Sequence, residues 1–214
     1  MTNQSGKGSA AYLSAALYII GVYAFVPLLF LFNQDALGAG AEEKLSAARI
    51  VPPLLIPIVL GLLNLTAVTA LRKKITRDQL LNCAMAVKYA LIPFFLIGGC
   101  CIALALLLMF TPVVIMVFVG PALALTLGAA GWIVLLGSAP FSVGYLVRAN
   151  REGIHPRGFC ILAGILQFFF TVDVITMMTA AFREKKWIKA TVMLVLILLA
   201  ALIGCIVFAA LFIF

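Results

Sequence analysis

The feature that most constrains this chain is the length of its uninterrupted apolar runs. The last of them, Ala190 to Phe214, holds no charged residue in 25 positions, and Ala11 to Phe32 is equally free of charge. About twenty apolar residues suffice for a helix to cross the hydrocarbon of a bilayer. Over the 214 residues, 65% are apolar, 10% are charged and the mean hydropathy is +1.24. An ordinary soluble domain is about half apolar and a quarter charged. A small folded chain leaves a large share of its surface in solvent, so water could not be kept from this much apolar side chain. In hydrocarbon every backbone N–H and C=O has to be paired internally, which leaves helices or closed barrels. Runs of this length, without the period-two alternation of barrel strands, decide for helices. The expected fold is therefore all-α: a polytopic transmembrane helix bundle forming one domain over residues 1–214.

Spans are expected near residues 11–32, 50–71, 80–110, 112–147, 159–182 and 190–214, about six in all, with five and seven as alternatives. Pro52, Pro53 and Pro57 sit near the start of the second, where a missing N–H matters least. The third is expected to enter as an interfacial stretch and to cross fully from Lys88 onward. The stretch Thr111 to Val147 is too long for one upright helix and short for two. Pro112, Pro121, Gly128-Ala129-Ala130-Gly131 and Pro140 mark points where it could break. Lys7, the first apolar run and Ala39-Gly40-Ala41 loosely imitate a signal peptide, but the run exceeds a typical h-region. It reads as a retained helix, with cleavage after Ala41 as the alternative.

Net charge is +8, and the basic residues gather in short loops beside the apolar runs. That pattern makes membrane lipids the expected partner and argues against nucleic acid. The turn Arg72 to Asp78 carries four cations and one anion. Placed inside by the positive-inside rule, it puts the amino terminus in the cytoplasm and the loop bearing Asp35, Glu42 and Glu43 outside. A second basic loop holds Arg148, Arg151, His155 and Arg157; a third runs from Arg183 to Lys189. Six alternating spans would leave the third loop outside, against the charge rule. Seven spans, with a turn at the Gly-Ala-Ala-Gly run, would bring it inside and send the second out. A re-entrant 159–182 segment would keep all three inside, but needs a polar-lined place for its broken backbone.

Asp173 is the most informative residue, because a carboxylate inside an apolar span costs several kcal/mol (roughly 2.5–3.5 on insertion scales) unless compensated. It reads either as a proton, cation or ligand site, or as a hydrogen-bonded group that locks two helices together. Lys88 is the partner to test, about 15 Å past Asp78 by helical rise, with a snorkelling interface anchor as the plain alternative. Asp173 lies at the same depth only if Arg183 is on the same side, so an ion pair would favour that topology. Asn64 is at comparable depth and could join the cluster or bond a neighbouring helix. Gln167, six residues before Asp173, falls about 120° away on a continuous helix and is not grouped with it.

Enzyme motifs are largely missing from the sequence. The single histidine, His155, has no recognisable nucleophile motif beside it, and Gly137-Ser138-Ala139-Pro140 reads as a helix kink. No metal-binding motif, P-loop or cofactor fingerprint is present, and the five cysteines read as small apolar side chains. Arg148, Arg151 and Arg157 are candidates for holding lipid head groups. Small residues four apart, such as Cys101 and Ala105 or Cys160 and Gly164, allow close helix packing, within the chain, with a partner membrane protein or in a homo-oligomer.

Arg77-Asp78-Gln79-Leu80-Leu81-Asn82-Cys83, Lys88-Tyr89-Ala90-Leu91-Ile92-Pro93-Phe94-Phe95 and Leu166 to Ile175 resemble a group of uncharacterised small multi-pass proteins from Firmicutes. The resemblance implies a bacterial plasma-membrane protein and no particular reaction. Three functions remain in competition. The leading one is a small transporter, channel or accessory subunit with a polar intramembrane site. The second is an interaction or immunity-type protein without transport, and the third a lipid-modifying enzyme built around His155.

Overall fold

A computed structural model describes residues 5–32, 47–72, 74–113 and 115–213; the acidic loop and the Ala41 cleavage point lie outside these residues. The described residues form seven helices and no strand. These are α1 (Ser5–Phe32), α2 (Ala47–Ala70), α3 (Arg77–Leu107), α4 (Met116–Arg151), α5 (Arg157–Leu166), α6 (Val172–Arg183) and α7 (Ile188–Ile213). The first four are long and apolar enough to cross a membrane.

One local outcome, the course of residues 159–182, differs from the sequence expectation. Helix α3 begins at Arg77, where Thr76 and Gln79 close a capping box over its first turn. Residues 116–147 lie in one helix, as the six-span expectation has it, without the alternative turn at Gly128-Ala129-Ala130-Gly131. The chain breaks earlier, at a 3-10 turn over Leu108–Phe110, and α4 then runs unbroken for 36 residues. A glycine costs a helix only about 1 kcal/mol, too little to open hydrogen bonds that have no other partner. Conversely, residues 159–182 are not one helix. They form α5 and α6, of 10 and 12 residues, separated by Gln167–Thr171, with Thr171 at φ 67°. The run Phe168-Phe169-Phe170-Thr171-Val172 is aromatic and β-branched, the residue types that lose most rotamer freedom in a helix.

Helices α1 to α4 pack as a bundle, α1 on α2 and α3, and α4 on α2 and α3. Its centre is filled by Tyr18, Val22, Leu81, Met85, Val134, Phe141 and Tyr145, joined by Met177 of α6. At the crossing of α2 and α4 a Cβ on Gly61 would stand 2.7 Å from Gly137 Cα, so the two backbones meet without side chains between them. Asn82 donates to Tyr12 Oη at 3.4 Å and Tyr23 donates to Ala90 O at 2.6 Å, so α1 runs parallel to α3.

Ion pairs tie the three basic turns together at one end of the bundle. Arg77 reaches Glu152 at 3.1 Å and Glu184 at 3.5 Å, and Lys186 reaches Asp78 at 2.6 Å. Arg148 donates to the carbonyls of Ile75 and Arg72 and pairs with Glu152. Because α5 starts at this end and α6 finishes there, the two form a hairpin that goes in and returns. Large apolar side chains cover much of the outside; Phe110, Phe118 and Leu125 are each more than 70% exposed.

Candidate functional site

The hairpin turn carries the polar centre of the molecule. Where a helix begins, its first N–H groups lack partners and favour a carboxylate. Asp173 occupies the first turn of α6. Its carboxylate pairs with the Lys88 ammonium of α3, and each side chain is only 1% exposed. Lys88 also donates to Ser138 Oγ of α4 at 3.1 Å, and Ser138 in turn donates to Leu135 O at 2.8 Å. The expected alternative for Lys88, a snorkelling anchor, is not its conformation: the chain ends inside the protein.

Gln167 requires a correction. The 120° separation from Asp173 holds for a continuous helix, and the helix ends at Leu166. From the turn, fully buried Gln167 donates to Ala163 O at 3.3 Å and, more weakly, towards Asp173 O at 3.5 Å, linking both halves of the hairpin. Asn64 is brought near the centre but not into the ion pair. Its Nδ2 donates to Gly137 O at 3.1 Å, one residue from Ser138, while its buried Oδ1 lacks a protein partner.

Residues 134–138 of α4 are consequently held by three helices: Tyr18 of α1 donates to Val134 O, Asn64 of α2 to Gly137 O, and Lys88 of α3 to Ser138. Tyr18, Ser138 and Gln167 were not site candidates from sequence. The available signal was Pro140, which has no N–H for the carbonyl four residues earlier and so marks α4 as locally irregular. Neither the groove between α2 and α4 nor the smaller one between α6 and α7 is lined by Lys88 or Asp173. The pair is enclosed within the protein.

The basic end holds a second polar group. His155 is buried, packs against Phe159 and faces Tyr145 Oη through Nε2 at 3.0 Å. Tyr145 donates its one proton to Glu184 at 2.6 Å, so Nε2 must carry the imidazole hydrogen. Burial lowers the His155 pKa below its ordinary value, with the nearby Glu184 charge opposing and Arg183 and Arg77 adding to the effect. Of the head-group candidates, Arg148 is engaged by carbonyls and Glu152, whereas Arg151 and Arg157 are exposed. Among the described residues no three His, Cys, Asp or Glu side chains gather as a metal-binding set.

The model of a family described only as a family of unknown function, DUF6652, matches residues 9–187, from α1 through the hairpin to the turn before α7. No curated protein and no solved structure matches the chain.

Proposed function

We propose that this chain, which belongs to the family DUF6652, is a non-enzymatic multi-pass membrane protein of the transporter or channel type, with Lys88 and Asp173 as its intramembrane ion site. In this reading α1 to α4 and α7 cross the bilayer, and the α5–α6 hairpin is re-entrant. That revises the six-span expectation: the 159–182 segment enters and leaves on one side. The basic turns then all lie in the cytoplasm, as the charge rule asks, and so does the amino terminus, since α1 runs parallel to α3.

The observation that carries the proposal is the enclosed Lys88–Asp173 pair, held where a helix is interrupted. Ionisable groups at membrane depth are costly and tend to mark ion or substrate paths, and broken helices are tolerated there only inside protein or along a cavity. The enclosed pair corresponds to a closed state, and opening requires displacement of the hairpin. The third candidate function loses ground because the His155 ring is committed to Tyr145 and Phe159.

The test is ion flux in proteoliposomes under imposed proton, sodium and potassium gradients, read by a pH-sensitive dye, with a protonophore added to carry the compensating charge for sodium and potassium. Wild-type protein should pass one of these ions, and Asp173→Asn should abolish the flux while still inserting. A Lys88→Met/Asp173→Asn double variant should also insert and remain silent. Wild-type protein no leakier than empty liposomes would refute the proposal, and so would a double variant with wild-type flux, which would reduce the pair to a brace.

A further inference from the structure

A groove on the α2–α4 side of the molecule takes no part in the ion site. It encloses about 1000 Å³, with Leu65 and Val68 of α2 and Leu136, Val143 and Val147 of α4 on its walls, and Phe168 of the hairpin turn also lining it. Its opposite end is basic, lined by Arg72, Arg148 and Arg151. Glu152 also lines it, but that carboxylate is taken by Arg77 and Arg148, each at 3.1 Å. Arg72 and Arg151 are exposed and form no ion pair among the described residues. From Leu136 to Arg151 the groove extends about 22 Å by helical rise. One leaflet with its head-group layer is about 20–22 Å thick.

We propose that this groove binds one anionic phospholipid of the cytoplasmic leaflet, with an acyl chain between α2 and α4 and the phosphate held by Arg72 and Arg151. The charge at the basic end and the length of the apolar part both match such a molecule. The proposal rests on the membrane placement above, and not on ion flux through Lys88 and Asp173. It also redistributes the head-group expectation: Arg72 joins, Arg148 serves to shape the basic end, and Arg157 lies outside the groove lining.

Native mass spectrometry of the full chain in mild detergent, offered phosphatidylglycerol or phosphatidylcholine with identical acyl chains, tests it. Wild-type protein should retain phosphatidylglycerol preferentially. Arg72→Gln/Arg151→Gln should lower that retention about twenty-five-fold, since each cation near an anionic head group contributes roughly fivefold, and Arg157→Gln should leave it unchanged. Val143→Phe, which fills the groove, should weaken retention of both lipids. Equal retention of the two lipids by wild type, an undiminished arginine variant, or displacement by millimolar inorganic phosphate would each overturn the proposal. A chain that stays monodisperse without detergent would instead refute the membrane placement, before any lipid is added, and loss of ion flux alone would leave this result standing.

Discussion

The α5–α6 hairpin and α7 follow one another in the chain and contain similar numbers of helical residues, yet they are built on opposite terms. The hairpin buries Cys160, Ala163, Met177, Ala180 and Ala181 together with Gln167, Asp173 and Thr176. Among the described side chains of α7 only Thr191 is buried. Both segments are apolar in composition. The difference is a few polar groups: in the hairpin Asp173 pairs with Lys88 of α3 and Gln167 bonds across the turn, so the segment breaks and docks. Helix α7 has no Asp, Glu, Lys, Arg or His after Lys189 and is one continuous helix. The family match includes the hairpin and stops before α7. In a bilayer, apolar contact gives helices little reason to prefer one another over lipid, so specific docking falls to polar pairs and close backbone approach.

The largest effect should come from removing one member of the buried pair. Lys88→Met leaves the Asp173 charge enclosed without a counter-charge, and breaking a buried pair in this way typically costs about 3–5 kcal/mol. Thermal unfolding in detergent should show a large drop in the midpoint, with limited proteolysis newly cutting near Gln167–Thr171. Adding Asp173→Asn should recover most of the lost stability, because it removes the orphaned charge. A single variant as stable as wild type would show that the hairpin docks by apolar packing alone, which would erase the contrast with α7.

Next in size is Gln167→Ala. The side chain is fully buried, and its amide donates to α5 while pointing at the first turn of α6. Truncation should cost about 1–3 kcal/mol, from a lost hydrogen bond and the space left behind. Hydrogen exchange should quicken at α6 amides before those of α3 or α4. Equal acceleration across all helices would mean that Gln167 has no particular role in closing the turn.

The long helices, and Lys88 and Asp173 as a pair to test, were legible in the sequence, because apolar run length and a charge within a run are both local signals. The hairpin was legible only as the re-entrant alternative, and the place where it turns was not. Gly128-Ala129-Ala130-Gly131 looks more breakable than Gln167–Thr171 by residue type, yet the first stays helical and the second opens. A break at depth persists only where other side chains satisfy the exposed backbone, and Gln167 does so from the turn itself. The positive charge of the loop at Arg183 was the one sequence clue, since it favoured return to the starting side. Asn64 was legible as a buried polar residue but not as a ligand of Gly137 O, which depends on the close approach permitted by Gly61. Arg72 went unnoticed as a groove residue because its role arises from α4 packing beside it.

The smallest effect should come from α7. Thr191 donates to Trp187 O at 2.8 Å, so the Tyr89 hydroxyl must be the donor in its bond to Thr191. Thr191→Val keeps the shape and removes the acceptor. Hydrogen bonds between transmembrane helices average about 0.6 kcal/mol, and the unfolding midpoint should shift by no more than that implies. Trp187 would still donate to Asn82 at 2.8 Å and keep the start of α7 beside α3. If the Val variant instead lost as much as Lys88→Met, α7 would be docked by polar contact as firmly as the hairpin. The boundary of the family match at residue 187 would then cut through one cooperative unit rather than mark the edge of one.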